Sequence, residues 1–330
     1  MGFSEFIGID VGKSKIDVHL YIQGEHARFD NGPDGFGSML SWVETHCGPA
    51  QGALFALEHT GLYSLRLCLF LELHGCPFTM IPGLEIKRSG GMRRGKSDKC
   101  DSKAIATYAY EKRERVRLYQ MPSSVQRQLK RLLSYREGLV KERAAFATRL
   151  REYEDVLGQQ DTGALLFESH RTVIDCLTKE IGKVERELLG LLEKEEGLRS
   201  QFDLINTIKG VGPQTALAMI VLTNGFSEFS TWRKFASYAG IAPFPNESGN
   251  FKGRRRVSNL ANKRIKSLLS CCASSAIRNN PEMRIYYQRR IAEGKNKMST
   301  VNIIRNKLLS RIFAVVKRGT PYVETFQFAC

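Results

Sequence analysis

Two carboxylates interrupt apolar stretches of this sequence. Asp10 lies within the stretch Ile7–Val11, and Glu58 directly follows the stretch Ala53–Leu57. A carboxylate in such surroundings loses hydration, which costs free energy unless a cation or hydrogen-bond donors compensate it. Two strand-end carboxylates that face a second pair on a helix can hold two hard divalent cations about 4 Å apart, an arrangement suited to in-line phosphodiester chemistry.

Asp98 and Asp101 supply that second pair. They are three residues apart at the start of a predicted helix, so both project from one face. Each residue also has a simpler role open to it: the helix dipole favours Asp98, solvent can surround Asp101, and Glu58 can cap the helix that follows it. The combination favours a metal site, because Asp10 and Glu58 both interrupt otherwise apolar strands.

Ser248 is a candidate nucleophile in the glycine-containing, basic stretch Asn246–Arg256, which is predicted to be a loop. A serine that attacks a phosphate needs reach, a way to lose its proton, and cations that stabilise the developing charge. Lys252 and Arg254, Arg255 and Arg256 could supply those cations. By chemistry alone such a serine is more often a turn residue, so both roles stay open.

A Gly-Val-Gly sequence lies between two predicted helices of the C-terminal part. Apolar spacing precedes Gly210 and Gly212, and a helix start follows, which is typical of a helix-hairpin-helix element. Its glycines would let backbone N–H groups approach a phosphate at the helix N-terminus, next to Lys209. A plain tight turn between two helices would have the same sequence pattern.

The elements around the carboxylates predict an α/β domain over residues 1–117. Predicted strands near 6–11, 16–22, 53–57 and 77–81 alternate with predicted helices near 36–43, 62–74 and 98–110. This alternation favours a three-layer α/β domain.

Residues 118–202 predict two long helices. Apolar residues recur at alternating spacings of three and four from Leu129 to Leu157 and from Ile174 to Leu198, with a break near Gly158–Gly163. Arg136 and Arg143 interrupt the first repeat, and Glu195 interrupts the second. This period is typical of an antiparallel coiled-coil hairpin or a dimerisation arm, and two ordinary helices packed on a domain would also show it.

Residues 203–330 predict a mainly helical segment that binds a polyanion. Helices are expected near 214–222, 232–239, 259–277, 282–292 and 300–317. The segment holds 21 basic and 6 acidic side chains, against 15 and 14 in residues 1–117 and 14 of each in residues 118–202. Nearly all of the net charge of +16 therefore lies here, which favours phosphate binding by this segment.

The remaining composition is that of a globular protein with more than one domain, at 330 residues, 42% hydrophobic and 25% charged. The eight cysteines include no CxxC pair and no Cys/His zinc spacing, so a reducing cytoplasm is the expected setting. Neither a signal peptide nor a membrane segment is expected, because no apolar run approaches about 20 residues.

Three separated motifs resemble DEDD-type insertion-sequence transposases of the insertion-sequence one-ten / eleven-eleven family, which includes the Piv-type DNA invertases. The motifs are IGIDVGKSKIDVHL, ALEHTGLY and GKSDKCDSKAIATYA. The resemblance implies a RuvC-like, ribonuclease-H-type fold for the first domain, followed by a coiled-coil arm and a C-terminal transposase domain. It also implies that Asp10, Glu58, Asp98 and Asp101 form a Mg²⁺-binding tetrad.

The stretch FASYAGIAPFPNESGNFKGRRRVSN resembles the C-terminal transposase domain of the same family, whose Ser-Gly motif carries the nucleophile. By that match, Ser248 forms a covalent phosphoserine link with cleaved DNA. Some relatives have a more serine-rich stretch at this point, so the neighbouring serines carry no inference.

The resemblance also implies partners. Family members act on donor and target DNA under the guidance of a structured, bridge-type RNA from the element's non-coding end, with the tetrad of one protomer meeting the serine of another. We therefore expect a homodimer that becomes a tetramer in the synaptic complex, in the bacterial cytoplasm and on the nucleoid when bound to DNA. The residues alone do not indicate RNA guidance, because phosphate neutralisation does not read sequence.

Other functions remain open at this point. One is a metal-dependent, structure-specific endonuclease of the Holliday-junction type, and another is a DNA invertase that needs no guide RNA. A third is a non-catalytic nucleic-acid-binding protein with a decayed metal site, although the presence of all four carboxylates argues against decay.

Overall fold

The computed structural model describes residues 2–59, 61–89, 98–157, 164–249 and 251–324, with only the main chain described at 251, 252 and 254. The chain forms two compact units, Met1–Met121 and Pro122–Cys330. The three-domain division with boundaries after residues 117 and 202 stays a prediction, and the two long helices of its middle segment belong to the second unit.

The first unit contains a mixed five-stranded sheet. Its strands are β1 (Phe6–Val11), β2 (Lys15–Leu20), β3 (His26–Asp30), β4 (Leu54–Glu58) and β5 (Phe78–Ile81). Their order is β3-β2-β1-β4-β5, in which β2 is antiparallel to β1 and β3, whereas β4 is parallel to β1 and β5. The four strands predicted from the sequence are confirmed. The sequence does not predict β3, because its polar residues are exposed or only partly buried at the edge of the sheet.

Helices cover both faces of this sheet. They are α1 (Pro33–Cys47), α2 (Leu65–Leu73), α3 (Gly83–Ser89) and α4 (Asp98–Glu111). Because side chains alternate along a strand, Ile7 and Ile9 of β1 enter a core shared with α1 and α2, whereas Phe6 enters a core shared with α3 and α4. The predicted three-layer α/β arrangement is confirmed.

In the residues described, the second unit is helical apart from one hairpin. The helices are α5 (Ser124–Leu157), α6 (Ala164–Glu193), α7 (Glu196–Asn206), α8 (Pro213–Thr223), α9 (Trp232–Tyr238), α10 (Lys263–Asn279), α11 (Pro281–Ala292) and α12 (Lys297–Arg318). The hairpin strands are β6 (Pro243–Ser248) and β7 (Phe251–Val257). One hydrophobic core takes side chains from all eight of these helices.

The long helices α5 and α6 pack against each other in opposite directions. Arg136 pairs with Glu185 at 2.6 Å, and Arg171 pairs with Glu154 at 2.9 Å, so later residues of α5 meet earlier residues of α6. The predicted helix pair is confirmed, and its coiled-coil character stays a prediction. The predicted break at 158–163 lies outside the described residues.

Two helix boundaries differ from the sequence prediction. Leu198 lies in α7 rather than at the end of α6, because the chain turns between Glu193 and Glu196. Helix α10 begins at Lys263 instead of residue 259, because the Asn262 side chain accepts hydrogen bonds from the first backbone N–H groups of the helix. Among the helices described, none is long and apolar enough to cross a membrane.

Candidate active site

Asp10 and Glu58 lie side by side in the sheet of the first unit. β1 and β4 are parallel neighbours with Ile9 opposite Leu57, so the next residue on each strand is Asp10 or Glu58. Both are partly buried. The Glu58 carboxylate lies against the start of α3, because a Cβ added at Gly83 would stand 1.9 Å from Glu58 Oε1.

Helix α4 packs on the face of the sheet to which Asp10 and Glu58 belong, and its first turn brings Asp98 and Asp101 toward them. The rings of Tyr110 and Phe6 lie 5.3 Å apart, whereas Gly8 contacts the main chain of α4 near Ser102 and Ala106. Helix α4 therefore runs opposite to β1, and its first turn, which carries Asp98 and Asp101, points toward the Asp10 end of the strand. The absence of a side chain at Gly8 is what allows this close approach.

The electrostatics of Asp10 reflect this convergence. Burial and the negative charges of Asp101, Asp98, Glu58 and Asp17 raise the pKa of Asp10 to about 6. A bound cation would relieve such repulsion, and carboxylate oxygens are the ligands that Mg²⁺ prefers. The donor set therefore fits Mg²⁺ in charge and kind.

The carboxylates lie farther apart than the ligands of a bound metal ion would. Among the residues that the structure describes, no three His, Cys, Asp or Glu side chains are already placed to hold one metal ion. Binding by this group would therefore require its side chains to rotate toward a common point.

The structure adds two charged residues that the sequence analysis does not single out. Asp17 stands opposite Asp10 in the β1–β2 pair and is 4% exposed. Arg28 of β3 binds both Asp17 carboxylate oxygens through Nε, at 3.1 and 3.0 Å, and donates from Nη2 to Asp98 Oδ2 at 3.2 Å. Asp17 could have been found by the signal that singles out Asp10, a carboxylate within an apolar strand. Arg28 has no such signal, because its role depends on the pairing of β2 with β3.

Ser248 lies at the tip of the basic hairpin in the second unit. The sequence prediction of a loop over 246–256 is wrong, since β6 and β7 pair here with Ser248 opposite Phe251. The turn between them includes Gly249 at φ +53°, a left-handed conformation that glycine adopts without strain. Ser248 is exposed along with the rest of β6, so its hydroxyl is open to a large substrate.

Two asparagines fix the point where the chain leaves α9 and starts this hairpin. Asn302 and Asn306 of α12 both donate their side-chain N–H groups to the carbonyl of Ile241, at 2.9 and 3.1 Å. Arg305, 7% exposed, donates to Asn302 Oδ1 at 3.3 Å. The sequence does not reveal these residues, because an asparagine on a helix face gives no sign of its hydrogen-bond partner.

The predicted phosphate contacts at the Gly-Val-Gly sequence have structural partners of their own. Lys209 pairs with Glu324 at 2.9 Å. Gly210 adopts φ +94°, and a Cβ there would stand 2.7 Å from the Cβ of Ala276 in α10, so this glycine allows close helix packing. Gly212 precedes α8 with no atom within 4 Å of an added Cβ, and its carbonyl accepts hydrogen bonds from the N–H groups of Thr215 and Ala216.

The basic residues of the hairpin are described only in part. Arg255 and Arg256 are exposed on β7. The side chains of Lys252 and Arg254 lie outside the description, although the main chain of both belongs to β7.

Two family models match this chain. A DEDD transposase model of the IS110 type, described as transposase, matches residues 7–156. The model of the transposase IS116/IS110/IS902 family matches residues 202–288. The two matches lie in different parts of the chain and together cover more than two thirds of it.

Similar proteins align along most of their length. The pilin gene-inverting protein of Moraxella lacunata is 25% identical over 96% of this chain and 97% of its own. An insertion element IS110 protein of Streptomyces coelicolor is 21% identical over 96% and 95%. The transposase for insertion sequence element IS1111A of Coxiella burnetii is 24% identical over 75% and 73%. The chain belongs to the IS110-type DEDD transposases, a family of DNA-recombining enzymes.

Proposed function

We propose that the protein is the RNA-guided DNA recombinase of a bacterial insertion sequence. It cleaves and rejoins DNA strands through a covalent phosphoserine on Ser248, with Mg²⁺ held by Asp10, Glu58, Asp98 and Asp101. The observation that carries the proposal is the convergence of these carboxylates, which neighbouring parallel strands and the first turn of an antiparallel helix bring toward one place.

The first unit supplies the acidic half of the reaction on a ribonuclease-H-type fold. The mixed sheet covered by helices on both faces supports that assignment. Asp10 and Glu58 form the fixed half of the donor set because they stand on paired strands, and Asp98 and Asp101 form the half that α4 carries. When bound, Mg²⁺ supplies Lewis-acid activation and neutralises charge on the phosphate.

Ser248 supplies the covalent half. Its Oγ forms a bond to phosphorus while the bond from phosphorus to a deoxyribose oxygen breaks; the serine loses its proton and the departing oxygen gains one. In the reverse reaction a deoxyribose hydroxyl attacks and the serine oxygen leaves, so the phosphoester is conserved. The exposed position of Ser248 and the exposed Arg255 and Arg256 support this role, because guanidinium groups stabilise developing phosphate charge.

The proposed partners are donor DNA, target DNA, the bridge-type guide RNA and further copies of this chain. The charge of +16 supports binding to nucleic acid. Apolar side chains near the ends of α5 and α6 support a homodimer that becomes a tetramer on DNA, since Val156 is 82% and Leu165 is 81% exposed.

A second candidate function is site-specific DNA inversion without a guide RNA. The near full-length alignment with the pilin gene-inverting protein favours inversion as the outcome of the reaction, and the need for a guide RNA is decided by the experiment below. A nuclease that uses the acidic group alone is distinguished by its independence of the serine.

The experiment that tests the proposal follows the covalent intermediate. Wild-type protein, labelled DNA, Mg²⁺ and RNA transcribed from the element's non-coding end are incubated, and adducts that survive SDS are counted. We expect an adduct with wild type and with the control Ser237→Ala, and none with Ser248→Ala or Asp10→Asn. Adducts formed equally well without RNA would support the invertase function. Cleavage by Ser248→Ala with normal rates would support the nuclease and refute the serine mechanism.

A further inference from the structure

A hydrogen-bonded network connects β2, β3 and α4 beside the acidic group. Asp17 of β2 stands opposite Asp10 on one side and opposite Arg28 on the other. Its two oxygens accept hydrogen bonds from Arg28 Nε, and Oδ1 also contacts His26 Nε2 at 3.0 Å. The buried Asp17 is therefore held by two residues of β3, Arg28 and His26.

The hydrogen bonds from Arg28 Nε to Asp17 limit where Nη2 of the same guanidinium can point. A guanidinium is planar and rigid, so holding Nε at Asp17 limits the directions that Nη2 can take. That nitrogen donates to Asp98 Oδ2 at 3.2 Å. Asp98 is the first residue of α4, and its side chain is 64% exposed. Without such a contact, an exposed carboxylate at a helix end would sample several rotamers.

We propose that Arg28 is a positioning residue, which orients Asp98 for cation binding, and that Asp17 holds Arg28 instead of acting as a metal ligand. This inference rests on the proposed function, because it assigns a role within the same acidic site. The inference explains why a fifth carboxylate lies next to Asp10. The charges of Asp17 and Arg28 cancel, so the pair orients the Asp98 carboxylate without adding net charge to the site.

Charge cancellation decides which variant tests the idea. Arg28→Gln alone would leave the buried Asp17 charge without its guanidinium partner beside Asp10, and that charge could itself attract a cation. The double variant Asp17→Asn/Arg28→Gln removes the network at constant net charge. Arg28→Lys keeps the charge and a partner for Asp17, but an ammonium lacks the rigid fork that reaches both carboxylates.

The matched control lies on the same two strands. Lys15 and Asp30 form a cross-strand ion pair at 2.7 Å, one step along the same face of β2 and β3 from Asp17 and Arg28. The double variant Lys15→Gln/Asp30→Asn also keeps the net charge, and neither residue contacts α4 through a described hydrogen bond.

The test measures Mn²⁺ binding to DNA-free protein by electron paramagnetic resonance, together with the Mg²⁺ concentration that gives half-maximal DNA cleavage. We expect the Mn²⁺ dissociation constant and the half-maximal Mg²⁺ concentration to rise about tenfold in Asp17→Asn/Arg28→Gln and in Arg28→Lys. A change of this size is typical when a residue that orients a metal ligand is replaced. The cleavage rate at saturating Mg²⁺ should change much less, and the Lys15/Asp30 control should match wild type.

Wild-type Mn²⁺ affinity in both Arg28 variants would overturn the inference. If the double variant does not fold by circular dichroism, Arg28→Lys decides. The variant Asp10→Asn separates this result from the proposed function. If it binds Mn²⁺ and cleaves DNA like wild type, the metal site itself is refuted. If it loses both while the Arg28 variants retain both, only the positioning role fails.

Discussion

Gly8 provides the sharpest structural test of how the acidic group is assembled. A Cβ at this position would stand 2.2 Å from the carbonyl oxygen of Ser102 and 2.3 Å from the backbone nitrogen of Ala106. Both atoms belong to the main chain of α4 and cannot rotate aside. To restore an ordinary contact, the helix must move away from β1 by about 1 Å.

That displacement has a calculable consequence for stability and for rate. Forcing an extra carbon into a packed contact costs about 1–3 kcal/mol, which the unit can tolerate without unfolding. The same movement carries Asp98 and Asp101 away from Asp10, and a misplacement of about 1 Å can reduce a rate about 100-fold. We therefore expect Gly8→Ala to remain folded, to melt at a lower temperature and to cleave DNA about 100-fold more slowly.

The assay compares cleavage of labelled DNA at saturating Mg²⁺ with thermal unfolding of the same preparations. Gly37→Ala is the matched control, because an added Cβ at this position of α1 meets no atom within 4 Å. It should cleave normally and gain about 0.5–1 kcal/mol, since alanine favours a helix interior over glycine. A Gly8→Ala protein with wild-type cleavage and melting temperature would refute the packing of α4 on β1.

Three further predictions concern charge and the serine hairpin. In metal-free protein, Asp10→Asn should raise the free energy of unfolding at pH 8 by about 1 kcal/mol after allowance for solvent screening. Because the pKa of Asp10 is raised to about 6, wild type gains stability relative to Asp10→Asn as the pH falls from about 6 toward 4, and the two proteins should become equal near pH 4. Chelator-treated melts that are equal at pH 8 would contradict this. The double variant Asn302→Ala/Asn306→Ala should lower the yield of covalent adduct about tenfold at unchanged DNA affinity, because it frees the Ile241 carbonyl at the start of the hairpin. An unchanged yield would remove the positioning role. Arg255→Ser and Arg256→Ser should each reduce the slope of log Kd against log salt by about 1 in anisotropy titrations, and an unchanged slope would show that neither contacts phosphate.

The sequence predicts most of the fold because the elements have clear periods. Alternating or continuous apolar runs predict four of the five strands, and the repeat of three and four predicts the α5–α6 pair. The prediction fails where tertiary contacts decide. β3 is polar and forms because β2 offers it a partner, and the basic stretch near Ser248 becomes a hairpin although glycines and charges favour a loop.

The residues of the candidate site also include some that the sequence predicts and others that depend on tertiary contacts. Strand-end carboxylates are visible in the sequence because they break an apolar pattern, and the structure places Asp10 beside Glu58. Arg28 and Asn302 are invisible in the sequence, since each acts through a partner on another element. The Gly-Val-Gly motif singles out Gly210 as a phosphate contact, but the structure gives another reason for glycine at this position. Its positive φ and its close approach to α10 both exclude a side chain.

We propose that Ser248 becomes covalently joined to DNA in a reaction that needs the acidic group. Mass spectrometry of the trapped adduct tests it directly, because trypsin releases residues 235–252 as one peptide that holds both Ser237 and Ser248. We expect a nucleotide on Ser248 in wild type and no modified peptide from Asp10→Asn. A nucleotide on Ser237 or on another residue, or a Ser248 adduct that forms equally well in Asp10→Asn, would contradict it.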